Sequence, residues 1–420
     1  MILLSFLKRH LLRKMLHKSQ SYSAPRNSTQ NQFTVNDWMA AIRSPTQYRV
    51  GNARLQMKPR FMAYALVLFI AVVILLIYFI PSSKKGRFGL NCDSQIMSSE
   101  SDHTIYDYSY PLTPPVKTHS GTQYRIAIVT DLDTDSKHPD KSNTWISYLK
   151  YGNLTISDDN TKIAVQFDKT VTLTSKVSEG GRGMELSELI VFNGKLYTVD
   201  DRTGIIYEID DNKVIPRYIL TDGDGSAAKG FKCEWATVKD NRLYVGGLGK
   251  EWTTGDGEVV NTNPQWVKSI GVMGDIQHHD WKDNYNALRE KMGMNLPGYM
   301  IHESAVWSSV HQRWFFMPRR ASRLRYDENA DEKRATNLMF TATEDFKNIE
   351  VSAVGKLNPT HGFSSFKFVP GTNHNVIVAL KSEEDGANKA TYIMVFDVEG
   401  NILYEEMKIG DAKFEGIEFV

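Results

Sequence analysis

The feature that most constrains this chain is a form it begins five times. "SELIVFNGKLYTVDD" from Ser187 aligns without a gap on "EWATVKDNRLYVGG" from Glu234; each has apolar residues two and four places on and a Leu-Tyr pair nine and ten places on. "ESAVWSSVHQRWFFMPRR" from Glu303 and "SSFKFVPGTNHNVIVALK" from Ser364 repeat it with longer turns, and "EGIEFV" from Glu415 starts it again. The residues two places on are Leu189, Ala236, Ala305, Phe366 and Ile417, and those four places on are Val191, Val238, Trp307, Phe368 and Phe419. All are apolar, the period-2 signature of a strand with one buried face. From about Tyr106 onward, short apolar runs alternate with turns such as "NG", "DN" and "GTN", which argues for an all-β fold. Five copies spaced roughly 60 residues apart predict a five-bladed β-propeller. The fifth copy stops after one strand, whereas "YRIAIVTDLDTDS" from Tyr124 is a second strand lacking a first. The C-terminal strand is therefore expected to complete that blade and hide a sheet edge.

In a propeller the first strand of each blade lines the central channel, so equivalent strand starts form a ring. Here the ring is Ser187, Glu234, Glu303, Ser364 and Glu415. Carboxylates gathered in a channel repel and take up protons unless a cation neutralises them. All-oxygen ligation favours Ca2+ or Mg2+ over zinc, and a wide, flexible ring favours Ca2+. The competing reading is that these acids hydrogen-bond to backbone groups at strand starts. The second strands end in "VTDLDTDS", "VDDRTG", "GGLGKEWTT", "PRRASR" and "LKSEED", all expected on one face around the channel. That would gather Asp131, Asp133, Asp200, Asp201, Arg202, Lys250, Arg319, Arg320 and Lys381. A cation flanked by arginine and lysine suits a polyphosphate, and carboxylates free of the metal can orient or deprotonate water. No G-x-x-x-x-G-K-[ST] loop is present, "DGDGSAAKG" reads as a turn, and the histidines show no H-E-x-x-H spacing. His302, His311 and His361 read as structural.

With 420 residues, 41% hydrophobic and 11% aromatic, the chain has enough apolar content for one large domain or two ordinary ones. Its formal charge of +1 hides an asymmetry. Residues 1–60 carry eleven Lys or Arg against one acid, Asp37, which leaves 39 basic and 48 acidic residues beyond them, a balance of −9. Between these parts lies "FMAYALVLFIAVVILLIYFI", residues 61–80, without a charge. As a helix it is about 30 Å long, the thickness of a bilayer's hydrocarbon core, and predicts a transmembrane signal-anchor. The heavier positive charge before it places residues 1–60 in the cytoplasm and the C-terminal part in a lumen or outside the cell. The opening "MILLSFLKRHLLRKMLHK" suits a membrane surface, a targeting peptide or an ordinary basic tail. Residues 19–60 read as a flexible tail, 81–105 as a stem and 106–420 as the propeller. Two cysteines, Cys92 and Cys233, exclude a disulfide scaffold or a thiol-rich metal site and leave their pairing open. Asn153 in "NLT" is a glycosylation sequon on the expected lumenal side.

The segments "GRGMELSELIVFNGKLYTVDDRTG", "FKCEWATVKDNRLYVGGLGKEWTT", "GYMIHESAVWSSVHQRWFFMPRRAS", "PTHGFSSFKF", "IVALKSEE" and "FEGIEF" resemble the soluble calcium-activated nucleotidases, the apyrases also found in the saliva of blood-feeding insects. The likeness runs from about Tyr110 to Val420, and the N-terminal anchor is similar to that of the vertebrate member. The resemblance implies a five-bladed propeller with Ca2+ held by Glu234, Glu303, Glu415 and main-chain oxygens of Ser187 and Ser364. It implies hydrolysis of nucleoside diphosphates in the endoplasmic reticulum and Golgi, with UDP and GDP preferred and ADP poor. Asp131 and Asp201 would position or activate water, and Arg202, Arg319 and Lys250 would hold phosphate. Combined with the rim read from the repeat, the expected catalytic group is Asp131, Asp133, Asp201 and Arg202. The expected substrate contacts are Asp200, Lys250, Trp252, Gln265, Arg319, Arg320 and Lys381. Gln265 in "NPQW" departs from the Glu often found in related vertebrate chains and puts base preference in doubt. Expected partners are nucleoside diphosphates and the membrane, with a homodimer left open and nucleic acid not expected. A calcium propeller esterase or lactonase and a non-catalytic interaction module are the competing classes. Stem cleavage, releasing a secreted form, is left open.

Overall fold

The computed structural model describes residues 47–50, 53–56, 105–386 and 388–420. The predicted membrane span, the stem up to residue 104 and Cys92 lie outside the described residues, as does most of the basic tail. Among the described residues no helix is long and apolar enough to cross a membrane. The chain divides into two units, Met1–Met97 and Ser98–Val420. In the first, where the sequence suggests a flexible tail, Gln47–Val50 pairs antiparallel with Ala53–Gln56.

In the second unit, five sheets of four antiparallel strands follow one another. Blade I is Leu186–Phe192, Lys195–Asp200, Ile205–Asp210 and Lys213–Ile219. Blade II is Trp235–Lys239, Arg242–Gly246, Trp266–Ile270 and Ile276–Asp280. Blade III is Ala305–Ser308, Arg313–Phe316, Leu338–Thr343 and Ile349–Ala353, and blade IV is His361–Phe368, Val376–Asp385, Asn388–Asp397 and Ile402–Gly410. Blade V takes its first strand from the C-terminus: Phe414–Phe419 pairs with Gly121–Thr130, followed by Trp145–Ile156 and Ile163–Ser175. A short strand, Val116–Thr118, adds to the Gly121–Thr130 strand. The first strands of blades I to V neighbour one another in a closed ring.

The repeat's apolar positions explain how the blades stack. Leu189, Ala236, Ala305, Phe366 and Ile417 are wholly buried, and each lies in the apolar cluster shared with the preceding blade. The residues two places further on join the same five clusters. Fully burying such a side chain stabilises by about 1.5–3 kcal/mol relative to leaving it exposed. The expectation of one buried face needs correction, because the intervening residues are buried too: Ile190 and Phe192 pack toward blade II. Blades stack face to face, so Leu186–Phe192 and Phe414–Phe419 are covered along their whole length.

The fold is mostly rather than wholly β. A helix, Lys282–Lys291, follows blade II and buries Tyr285, Leu288 and Arg289 on one side. The sequon residue Asn153 lies inside Trp145–Ile156, half-buried and paired to Arg125 and Gln166. Cys233 is a free, buried thiol that donates to Phe231 O at 3.5 Å.

Candidate active site

The ring positions coincide with irregularities in the ladder. Ser187, Ser364 and Glu415 are each an extra residue in the first strand of blades I, IV and V, where the register slips by one. Such a bulge releases backbone groups from the ladder and re-aims the side chain. Glu234 precedes the first strand of blade II, donating its N–H to Gly246 O at 2.8 Å, and Glu303 lies two residues before that of blade III.

Glu234, Glu303 and Glu415 open into one cavity of about 230 Å³. Arg319 Nη1 bridges Glu303 Oε2 at 2.5 Å and Glu415 Oε1 at 2.8 Å. Lys232 Nζ lies 2.8 Å from Glu234 Oε1 and also donates to Asp201 Oδ2. Lys413 Nζ lies 2.8 Å from Asp131 Oδ2, 2.9 Å from Asp133 Oδ2 and 3.6 Å from Glu415 Oε1. Burial, with Glu303 and Asp201 nearby, pushes Glu234 up to about 8 despite Lys232. Burial likewise raises Glu415 well above the carboxylate range, helped by Glu303 and Asp131. Asp201 is raised by burial and by Asp131. Asp131 goes the other way: burial favours its proton, but Lys413 and the Asp133 N–H, donating at 2.8 Å, hold it below the usual range.

The cavity is lined by seven carboxylates against five cationic side chains, a formal excess of two negative charges, which one divalent cation would balance. Ser187 and Ser364 are not among the residues lining the cavity, and their hydroxyls are buried without a hydrogen-bond partner. A buried polar atom left unpaired costs free energy unless another ligand meets it. Glutamates, serine hydroxyls and bulge carbonyls make an all-oxygen donor set that fits Ca2+. A tighter acidic group, Asp131, Asp133 and Glu185, has one oxygen from each within 4.8 Å of the others. Lys413 and Arg182, the latter holding Glu185 at 2.8 and 2.5 Å, already partner it.

Asp131, Asp133, Asp201, Lys250, Trp252, Arg319 and Arg320 all line this cavity. Lys250 Nζ donates to Thr253 Oγ1 at 2.9 Å and sits 4.2 Å from the centre of the Tyr326 ring, and burial lowers it to about 8. Lys229 Nζ is 4.2 Å from the Trp252 ring centre.

Four expected substrate or catalytic residues are placed elsewhere. Asp200 is wholly buried and builds the turn after the second strand of blade I, accepting from the N–H groups of Met184, Arg202 and Thr203. Arg202, half-buried beside it, is not among the lining residues. Lys381 donates to Glu406 at 2.9 Å and lies over Phe363, because its strand runs on to Asp385 within blade IV. Gln265 is buried beneath the Lys250 loop, its Nε2 donating to Gly249 O at 3.2 Å. No histidine lines the cavity among the described residues. His302 packs between Tyr285 and Phe316, with burial lowering it to about 3, while His361 pairs with Glu406 and His311 with the His374 backbone.

Lys232 and Lys413 escape a reading that looks only at ring positions and second-strand ends. Both lie two places before a ring residue, in the connection that leads into the first strand of the blade. The set is Glu185, Lys232, Ile301, Gly362 and Lys413, so the repeat itself, read two residues back, marks a second ring. Asp331 and Tyr326 come from the segment between the second and third strands of blade III, and no repeat marks them.

The apyrase family model matches residues 132–420. Rattus norvegicus soluble calcium-activated nucleotidase 1 is 58% identical over 316 residues, 75% of this chain and 78% of that protein. The Mus musculus protein of the same name is 57% identical over the same shares. Caenorhabditis elegans apyrase apy-1 is 49% identical, over 71% of this chain and 84% of its own length. On the family match and these identities, the chain belongs to the apyrase family.

Proposed function

We propose that this chain is a calcium-dependent nucleotidase that hydrolyses nucleoside diphosphates, with UDP and GDP preferred over ADP, to the monophosphate and phosphate. The observation that carries this reading is one cavity combining the ring glutamates Glu234, Glu303 and Glu415 with the cationic side chains of Lys250, Arg319 and Arg320. The names of the relatives support it, since they pair calcium with nucleotide. Glu234, Glu303, Glu415 and oxygens of Ser187 and Ser364 would hold Ca2+, which supplies Lewis-acid polarisation of a phosphoryl oxygen when bound.

The chain's own residues divide the remaining work. Asp201 is the better proton acceptor: its environment raises its basicity, and its Oδ1 is buried without a hydrogen-bond partner. Asp131, held ionised by Lys413, orients water rather than taking its proton. Lys250, Arg319 and Arg320 offset the charge that builds on the phosphoryl oxygens. Trp252 and Tyr326 also line the cavity.

The histidine-free lining, with Lys250, Arg319 and Arg320 set among its carboxylates, supports a phosphoanhydride over an ester or lactone substrate. Residues 61–80 would anchor the chain as a type II protein of the endoplasmic reticulum and Golgi, with the propeller lumenal, where UDP arises from glycosyl transfer. Phosphate release from a nucleotide panel, with and without calcium, tests the activity. Calcium-dependent release from UDP and GDP is expected, and no release from any nucleotide at millimolar calcium would overturn it.

A further inference from the structure

The two buried lysines of the second ring share one arrangement. Lys232 joins the ring glutamate Glu234 to Asp201, and Lys413 joins Glu415 to Asp131 and Asp133. Each therefore pins one candidate metal ligand and one water-handling carboxylate at once. Both border the cavity that also holds Lys250, Arg319 and Arg320. A glutamate oxygen facing an ammonium group is not fully available to a divalent cation, so Ca2+ competes with an internal cation for Glu234 and Glu415. The lysine stem has four flexible carbons and a compact charge, so the ammonium can leave one oxygen for another across the cavity. Arg319 differs: it is braced by Glu303, Glu415 and Glu384, the last at 3.5 Å, and its stem passes over Gly362.

We propose that Lys232 and Lys413 are exchangeable counter-cations, which leave Glu234 and Glu415 for the phosphates of the nucleotide as Ca2+ takes those glutamates. This rests on the calcium-dependent nucleotidase reading above. Calcium then acts partly by release: it turns two lysines toward phosphate and frees Asp201 to meet water, while Lys413 gives up its 3.6 Å contact with Glu415 and keeps the 2.8 Å contact that holds Asp131 ionised. By linkage, nucleotide drawing the lysines away must tighten Ca2+ binding by the same factor that Ca2+ tightens nucleotide.

The test is calorimetric titration of Ca2+ into wild-type protein and into Lys232→Gln, Lys413→Gln and Lys232→Arg, with and without a non-hydrolysable methylene-bridged uridine diphosphate. In the wild type the analogue is expected to tighten Ca2+ about tenfold. Each Gln variant, having lost one of the two competitors, is expected to bind Ca2+ about threefold more tightly without the analogue and to lose about half of the coupling on a logarithmic scale. Lys232→Arg keeps a cation and is expected to restore both wild-type properties. Direct contact between phosphate and Ca2+ also couples the two ligands, but it survives removal of the lysines. Full coupling in both Gln variants, or no coupling in the wild type, therefore overturns the exchange. Failure of the wild-type protein to bind Ca2+ at all overturns the calcium reading instead.

Discussion

At the residue scale, the ring glutamates carry the first expectation. Glu303→Gln removes a charge that Arg319 bridges to Glu415, and activity and calcium dependence are expected to fall together, by at least about 100-fold. Full activity with an unchanged calcium response would reject Glu303 as a ligand. Lys250 gives a pH dependence whose sign is fixed by its charge. Burial lowers it to about 8, so it is protonated below that pH and neutral above. A phosphate prefers the protonated form, so KM for the diphosphate is expected to rise as pH climbs from about 8 to 9.5. In Lys250→Arg, which stays charged, that rise should vanish; a KM profile identical to wild type would remove Lys250 from the phosphate site. Gly362 shows what the repeat alone does not explain. A Cβ there would meet Arg319 Cγ at 2.4 Å and Arg319 O at 2.7 Å. Gly362→Ala is expected to cost about 1–3 kcal/mol in urea unfolding and to weaken substrate binding through Arg319. The ring glutamates were legible because their positions repeat, whereas Asp200 and Lys381 repeat equally well yet face elsewhere. Strand register marks an end but not the direction in which a turn sends its side chain.

At the element scale, the helix Lys282–Lys291 supports the loop that bears Lys250. Arg289 donates to both oxygens of Glu251 at 2.9 Å, with both side chains nearly buried. Arg289→Met leaves an unpaired buried carboxylate, and a loss of about 3–5 kcal/mol is expected. Replacing Glu251 with Leu as well should recover most of it. If the single variant unfolds at the wild-type urea midpoint, the pair is not what fastens helix to loop. This element is hard to see in a sequence otherwise dominated by strands, because one helix of ten residues offers few apolar repeats.

At the scale of the whole molecule, ring closure depends on the last strand. Gly416 lies so near the first strand of blade I that a Cβ would meet Leu189 N at 2.6 Å, and Glu418 Oε2 accepts from Val191 N at 3.1 Å. Truncation after Ala412 removes this contact and exposes the edge of Gly121–Thr130. The truncated chain is expected to aggregate and show no cooperative unfolding. A monomeric truncated protein with the wild-type melting transition would show that closure is dispensable.

By itself the sequence determined the five blades, the closing strand and the ring positions, because strand periodicity and equivalent spacing are properties of local chain geometry. Only the tertiary structure decided which charges meet across the channel. Lys232 meets Asp201 of blade I, Arg319 of blade III meets Glu415 of blade V, and Lys413 meets Asp131 at the end of the neighbouring strand of blade V, and the strength of each pair depends on burial and distance, which spacing along a chain does not contain.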